Sequence, residues 1–204
     1  LQGPVLSLRN LDTGEILDQN DNWEDHPAVD YLLERLRAPA SPRDAALVVD
    51  LPPGRYAAEL REREGGAGQA LISIQQLDGM RELLNISANT RVSRDGVTPG
   101  FVVQGAGGRF AILGEAQYHT GEPLPDPVIT VRDLATGTVL GRNDDWRTHP
   151  TASELVQALR APTGERDAGL VLDLPLGAYV VDLRDGGGHT GQALLSIQRI
   201  QTGG

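Results

Sequence analysis

The sequence PVITVRDLATGTVLGRNDDW, at Pro127–Trp146, follows a similar sequence, PVLSLRNLDTGEILDQNDNW, at Pro4–Trp23. The match extends without a gap from Pro4–Leu77 to Pro127–Ile200, and about half of the paired residues are identical. A constant spacing over so long a stretch indicates an internal duplication. We therefore expect two related modules.

The pattern within each copy predicts short β-strands joined by tight turns. Apolar and polar residues alternate on either side of a Thr-Gly turn, so each copy is expected to begin with a β-hairpin, at Pro4–Leu17 and at Pro127–Leu140. Further strands are predicted in the first copy at Ala45–Leu51, after Pro52–Gly54 and at Gln69–Leu77.

One part of each copy has a different period. Apolar residues at helical spacing follow Pro27 in the first copy and Pro150 in the second, and they end before Pro39 and Pro162. Each module is therefore expected to carry one short amphipathic helix packed against its strands.

The segment between the copies predicts additional strands for the second module only. Strands are expected at Leu83–Ser87, Phe101–Val103 and Arg109–Leu113. We expect an all-β protein of two related, jelly-roll-like β-sandwich modules. The first module is expected at residues 1–80 and lacks its first strands. The second is expected at residues 81–204. In the second module, residues 127–200 repeat residues 4–77, and residues 81–126 add further strands.

Composition restricts the function classes. The net charge of −10 and the pI of about 4.8 oppose binding to nucleic acid, and no apolar run approaches the ~18 residues of a membrane span, so neither partnership is expected. All cations are arginine and cysteine is absent, which excludes lysine Schiff bases, thiol nucleophiles and disulfides.

Several segments resemble bacterial pre-peptidase C-terminal domains. Those segments are Asp126–Ile129, Asn143–Trp146 and Asp173–Tyr179. Leu84–Ser87 and Gly100–Gly105 make the chain more similar still to tandem repeats of bacterial extracellular and surface proteins. The resemblance implies secreted, calcium-associated β-sandwich modules with a structural or adhesive role, located outside the cell or on its surface.

Acidic turns in both copies are candidate calcium sites, because Ca²⁺ prefers several carboxylate and amide oxygens. A hairpin would bring Asp126 back towards Asp145, and Asp167 opens a strand that could approach the same end. The predicted ligands are Asp126, Asn143, Asp144, Asp145 and Asp167, and in the first copy Asn20, Asp21, Asn22 and Asp44. The alternative is that these residues form turns by hydrogen-bonding their own backbone.

No motif predicts catalysis. Gly105–Gly108 lacks the lysine and helix of a phosphate-binding loop, and no nucleophile stands at a recognisable spacing from a base, so we expect no enzymatic activity. Trp23 and Trp146 follow the acidic turns; they are expected to pack in the modules, and stacking on sugar rings is the alternative.

The expected function is therefore that of a non-catalytic, calcium-stabilised subunit of an extracellular fibre, sheath or adhesin. Copies of the chain would join head to tail, because the first module is expected to have unpaired strand edges and an apolar face at Ala45–Leu51 that a strand of a neighbouring copy would cover. The alternatives are that Leu83–Leu113 of the same chain covers this face, or that the half-unit is a complete small sandwich. The alternative function is a carbohydrate- or polymer-binding accessory module of a secreted hydrolase, with a surface polysaccharide as partner.

Overall fold

The computed structural model describes residues 1–35, 39, 41–66, 68, 70–77, 83–117, 121–158 and 160–200. The chain divides into two compact units, an N-terminal unit at Leu1–Gln75 and a C-terminal unit at Gln76–Gly204. The module boundary expected between residues 80 and 81 lies outside the described residues. Among those described, no helix has the length and apolar character needed to cross a membrane.

The N-terminal unit contains one antiparallel sheet. Its strands are β1 (Pro4–Asn10), β2 (Ile16–Asn20) and β3 (Tyr56–Glu62), in the order β2–β1–β3. A 3₁₀ turn at Trp23–Asp25 and helix α1 at Val29–Arg35 connect the hairpin to the rest of the unit. The hairpin and the short helix form as predicted.

The C-terminal unit is a sandwich of two four-stranded antiparallel sheets, with orders β5–β10–β7–β8 and β4–β11–β6–β9. Between β8 and β9 lie a 3₁₀ turn at Trp146–Thr148 and helix α2 at Ala152–Gln157. The strands are β4 (Asn85–Val92), β5 (Gly100–Val103), β6 (Gly108–Ala116), β7 (Pro127–Asp133), β8 (Val139–Asn143), β9 (Ala168–Leu174), β10 (Gly177–Asp185) and β11 (Gly191–Ile200).

Strand β6 lies at the centre of the C-terminal unit and is covered on both faces. Ile112 points into the core between the sheets, whereas Ala111 and Leu113 pack on the opposite face against Trp146 and Leu155. All three β6 residues are at most 3% exposed. This double burial explains the uninterrupted apolar run Phe-Ala-Ile-Leu in the sequence of β6.

The shared parts of the two units have the same register. Leu6 pairs with Asn20 and Ile129 pairs with Asn143, and each hairpin has an irregularity at the equivalent step, Leu8/Arg9 or Val131/Arg132. The prediction of an all-β chain with related modules, each with one short helix, is confirmed, as are the three strands expected between the copies.

Two predicted strands of the N-terminal unit do not form. Ala45–Leu51 and the described part of Gln69–Leu77, residues 70–77, have no strand pairing, although their equivalents in the second copy are β9 and β11. The reason is topological, because β6 lies between β9 and β11 in the sheet. Among the described residues the N-terminal unit has no counterpart of β4, β5 or β6, so its two segments lack the strand that would join them.

Candidate functional site

In the acidic turn of the C-terminal unit, the side chains of Asn143 and Asp145 hydrogen-bond backbone groups at the start of the 3₁₀ turn. The Asp145 side chain accepts a hydrogen bond from Arg147 N at 3.0 Å. Asn143 Oδ1 accepts from Gly169 N at 2.8 Å, and Asn143 Nδ2 donates to the Asp145 carbonyl at 2.8 Å. The Asn143 amide thus donates within the turn and accepts from β9.

Asp167, directly before β9, also accepts hydrogen bonds from backbone N–H groups. It is 4% exposed, and its two carboxylate oxygens accept hydrogen bonds from Gly164 N at 2.7 Å and from Ala116 N at 2.9 Å. Asp144 is exposed. Asp126, directly before β7, donates its N–H to Asp185 Oδ2 at 2.9 Å. The fold thus brings together Asn143, Asp145 and Asp167.

The first copy repeats this arrangement. Asn20 Oδ1 accepts from Ala46 N at 3.1 Å, Asn22 Oδ1 accepts from Glu24 N at 3.1 Å, and Asp44 Oδ2 accepts from Ser41 N at 3.3 Å. Asp21 forms an exposed ion pair with Arg63. Apart from Asp21 and Asp144, the turn residues therefore have backbone partners in both units.

These hydrogen bonds do not test whether the turn residues bind Ca²⁺. Among the residues that the structure describes, no group of three or more His, Asp or Glu side chains is arranged to hold a metal ion. The hydrogen bonds give the turn residues a role as backbone caps. The calcium site stays a prediction.

Sequence reasoning missed Glu115, on β6. Its side chain is partly buried, and burial together with the charge of Asp167 raises its pKa above the ordinary value for a glutamic acid. The sequence feature that could have indicated this residue is a carboxyl group two positions after Leu113, the last residue of the apolar run in β6.

Both tryptophans and His26 are buried and form hydrogen bonds. Trp23 and Trp146 are each 7% exposed, and each indole Nε1 donates to a backbone carbonyl at 3.0 Å, of Ser41 or Gly164. Buried His26 accepts from Ala28 N at Nδ1, and its Nε2 lies 3.2 Å from Asp18. Neither indole offers a face for stacking, and both nitrogens of His26 are engaged.

The two units differ most at an equivalent pair of tyrosines, Tyr56 and Tyr179. Each hydroxyl donates to a proline carbonyl, at 2.7 Å and 2.8 Å. Tyr179 is 2% exposed, and its ring centroid lies 5.5 Å from that of Phe101 on β5. Tyr56 instead borders a cavity of about 280 Å³ that Leu17, Asp18 and Val49 also line.

A run of apolar side chains near the end of the N-terminal unit is exposed. The exposed fraction is 87% at Leu71, 45% at Ile72 and 50% at Ile74, whereas Leu195, the equivalent of Ile72, is 3% exposed. We use the term open face for the surface formed by the exposed apolar side chains of Leu71, Ile72 and Ile74 in the N-terminal unit. This face is the candidate functional site, because it has the composition of a core and the exposure of a surface.

No protein-family model matches the chain, and no curated protein matches it. The functional assignment therefore depends on comparing the two copies within the chain.

Proposed function

We propose that the protein is a non-catalytic structural protein of the extracellular repeat type, which assembles with other polypeptide through the open face of its N-terminal unit. The observation that carries this proposal is the exposure of residues 70–77, since Leu71, Ile72 and Ile74 are all at least 45% exposed. Their counterparts on β11 lie in a completed sandwich.

The physical basis is that an unpaired extended segment is a template for another strand. The backbone of an extended segment outside a sheet can pair with a strand of a partner, and its apolar side chains gain free energy when the partner covers them. Proteins block such edges or use them for assembly. Here Ile72 and Ile74 lie in a segment without strand pairing, and both are exposed.

The engagement of the polar residues supports a non-catalytic role. The side chains of Asn143, Asp145 and Asp167 accept hydrogen bonds from backbone N–H groups, and both ring nitrogens of His26 are engaged. The extracellular location comes from the resemblance to secreted repeats. The carbohydrate-binding alternative depended on exposed tryptophans, and burial of both indoles removes its supporting observation.

Sedimentation velocity and light scattering test the proposal. We expect the full chain to associate as its concentration rises, and Leu71→Asp to shift it to monomer, because a charge on the open face opposes its burial. Leu134→Asp is the matched control, since Leu134 is 60% exposed in a turn of the C-terminal unit. A wild-type chain that remains monomeric at every concentration would contradict the proposal, whereas assemblies larger than a dimer would support head-to-tail joining.

A further inference from the structure

We infer that the protein has a second assembly contact, in which acidic residues on the N-terminal unit of one copy bind an arginine-bearing sheet face on the C-terminal unit of another copy. This contact goes beyond the open face and is carried by other observations. These are the charges on the outer side of one sheet, the carboxylates beside helix α1, and the way in which both differ between the two units.

The sheet β5–β10–β7–β8 carries charged residues on its outer side. Neighbouring residues of a strand point to opposite sides of the sheet. In β10, Val181 and Leu183 lie in the core between the sheets, so Asp182 and Arg184 point outward.

Two more arginines lie on the same outer side. Val131 of β7 belongs to the core and pairs with Gly141 of β8, so the adjacent residues Arg132 and Arg142 point outward. Thr130 connects the strands here, because it pairs with Arg142 in β8 and with Asp182 in β10. We use the term arginine face for the surface formed by Arg132, Arg142 and Arg184.

The arginine face has more positive than negative charge. Arg132 forms a salt bridge of 3.1 Å with Asp182, whose side chain is 7% exposed. Arg142 and Arg184 are exposed, and neither forms a salt bridge with any residue that the structure describes. Asp144, directly after β8, is also exposed, so three arginines stand against two carboxylates. The two unpaired guanidinium groups can each bind a carboxylate of a partner through parallel hydrogen bonds.

The equivalent surface of the N-terminal unit has no such unpaired arginines. The arginine face corresponds there to Arg9, Gln19 and Arg61, and Asp182 corresponds to Glu59. Arg9 and Arg61 both form salt bridges with Glu59, at 3.8 Å and 2.9 Å. The positive surface is therefore a property of the C-terminal unit and not of the repeat in general.

The N-terminal unit differs in the opposite sense beside helix α1. Glu24, Asp25 and Asp30 are exposed, and none of the three forms a salt bridge within the described part of the chain. We use the term acidic patch for these three residues. The equivalent positions of the second copy have one positive and two uncharged residues, namely Arg147, Thr148 and Ser153.

Complementary charge makes a second copy the expected occupant of the arginine face. Two chains with a net charge of −10 repel each other, so they approach most favourably where the acidic patch of one meets the arginine face of the other. At an ionic strength of about 0.1 M the Debye length is about 10 Å, so charges in contact attract while more distant charges are largely screened. Because one exposed ion pair contributes little, the contact needs several arginines and carboxylates together.

The contact joins two different surfaces. The acidic patch belongs to the N-terminal unit and the arginine face to the C-terminal unit. Each copy therefore offers one surface of each kind, and such a heterologous contact can repeat from copy to copy. Head-to-tail growth would follow from the distribution of charge.

The test uses the full chain carrying Leu71→Asp, in which the open face is blocked, and measures association by sedimentation velocity. At about 0.1 M NaCl we expect association that increases with protein concentration. At about 1 M NaCl, where the Debye length is about 3 Å, association should weaken about tenfold or more. The chain with Leu71 should still associate at the higher salt, through the open face.

Charge reversal locates the contact on the C-terminal unit. In the Leu71→Asp chain, Arg142→Glu together with Arg184→Glu should weaken association at about 0.1 M NaCl about tenfold or more. The matched control is Arg91→Glu together with Arg160→Glu, since both of these exposed arginines lie outside the sheet that carries the arginine face. The control changes the net charge by the same amount and should leave association nearly unchanged.

A mixing experiment identifies the partner surface. Glu24→Arg together with Asp30→Arg should weaken association as much as reversal of the arginine face does. A 1:1 mixture of this patch variant with the Arg142→Glu, Arg184→Glu variant should associate again, because each chain supplies the surface that the other lacks. Recovery in the mixture also shows that both variants are folded.

The outcomes separate this contact from the proposed function. A Leu71→Asp chain that is monomeric at about 0.1 M NaCl, an equal effect of the control variant, or a mixture that fails to associate would each overturn the inference. Binding of heparin, a sulfated polysaccharide, to the arginine face without self-association would overturn it in favour of an anionic polymer. The proposed function is judged separately, since it fails if the chain with Leu71 does not associate at about 1 M NaCl.

Discussion

Truncation of two equivalent residues, Leu195→Ala and Ile72→Ala, is expected to have very unequal effects on stability. Leu195 lies on β11 in the core between the sheets and is 3% exposed. Ile72 occupies the same place in the first copy but is 45% exposed. The same sequence position thus tests whether residues 70–77 are packed as a strand.

The magnitudes follow from burial. A leucine removed from a closed core costs its transfer free energy and leaves a cavity, so Leu195→Ala should lower the free energy of unfolding of the C-terminal unit by about 3 kcal/mol. Ile72 retains much of its contact with water and borders an open surface. Ile72→Ala should therefore cost about 1 kcal/mol or less in the N-terminal unit.

The two tryptophans allow each unit to be followed separately. Trp146→Phe leaves Trp23 as the reporter of the N-terminal unit, and Trp23→Phe leaves Trp146 for the C-terminal unit. With a denaturant slope of about 2 kcal/mol per molar urea, Leu195→Ala should lower the midpoint of its unit by about 1.5 M. Ile72→Ala should lower the midpoint of its own unit by about 0.5 M or less.

A second equivalent pair provides the control. Leu11 and Leu134 are both exposed, at 52% and 60%, so their alanine variants should have equally small effects. Equal and large shifts for Leu195→Ala and Ile72→Ala would refute the reasoning, because they would require residues 70–77 to be as well packed as β11.

Three further predictions concern the polar residues. Asn143→Ala should lower the free energy of unfolding of the C-terminal unit by about 2 kcal/mol in urea, because the Gly169 N–H loses its acceptor, and an unchanged midpoint would argue against the capping role. The calcium prediction requires Ca²⁺ at a hundredfold excess over Kd to raise the free energy of unfolding by about 2.7 kcal/mol, and calorimetric Tm values equal in Ca²⁺ and in chelator would contradict it. Burial and the charge of Asp167 raise the pKa of Glu115, so the charged form of Glu115 destabilises the folded state at neutral pH and Glu115→Gln should stabilise the C-terminal unit there. The gain should disappear below about pH 4, where the carboxyl is protonated in both the folded and the unfolded state. A gain in stability that does not depend on pH would contradict this explanation.

The two hairpins could be predicted from sequence because their strands pair with a near neighbour in the chain. The hairpin of β1 and β2 is specified locally, because a Thr-Gly turn joins two alternating segments and Gly14 adopts a positive φ of 77°. The same holds for β7 and β8, with Gly137 at 71°. In these cases alternation and turn residues contain the necessary information.

The unpaired segments show where local patterns stop being sufficient. Ala45–Leu51 has the alternation and branched residues of a strand, as β9 does, but strand formation depends on a neighbouring strand as well as on propensity. That neighbour, β6, lies outside the repeated sequence, and its position between β9 and β11 becomes known only from the topology.

Prediction of the acidic-turn sites from sequence was limited by a different ambiguity. An Asn or Asp after a strand can serve a cation or the backbone, and the same oxygens suit both, so the sequence alone leaves both interpretations open. The hydrogen bonds of Asn143 and Asp167 reveal the backbone partners, which come from Gly169, Gly164 and Ala116. Two of these three residues are far along the chain from the group that they contact, which explains why spacing did not indicate them.

In the proposed assembly, the strand order of the C-terminal unit links the folding of the N-terminal unit to the binding of a partner. Because β9 and β11 both pair with β6 and not with each other, the equivalent segments 45–51 and 70–77 can enter one sheet only when a third strand lies between them. Substitutions within the unit that improve its own packing leave this requirement in place. Any segment that supplies the third strand binds the folded unit and not the unfolded chain, so its binding free energy adds directly to the stability of the unit. In the proposed assembly, binding a partner would therefore also complete the packing of this unit.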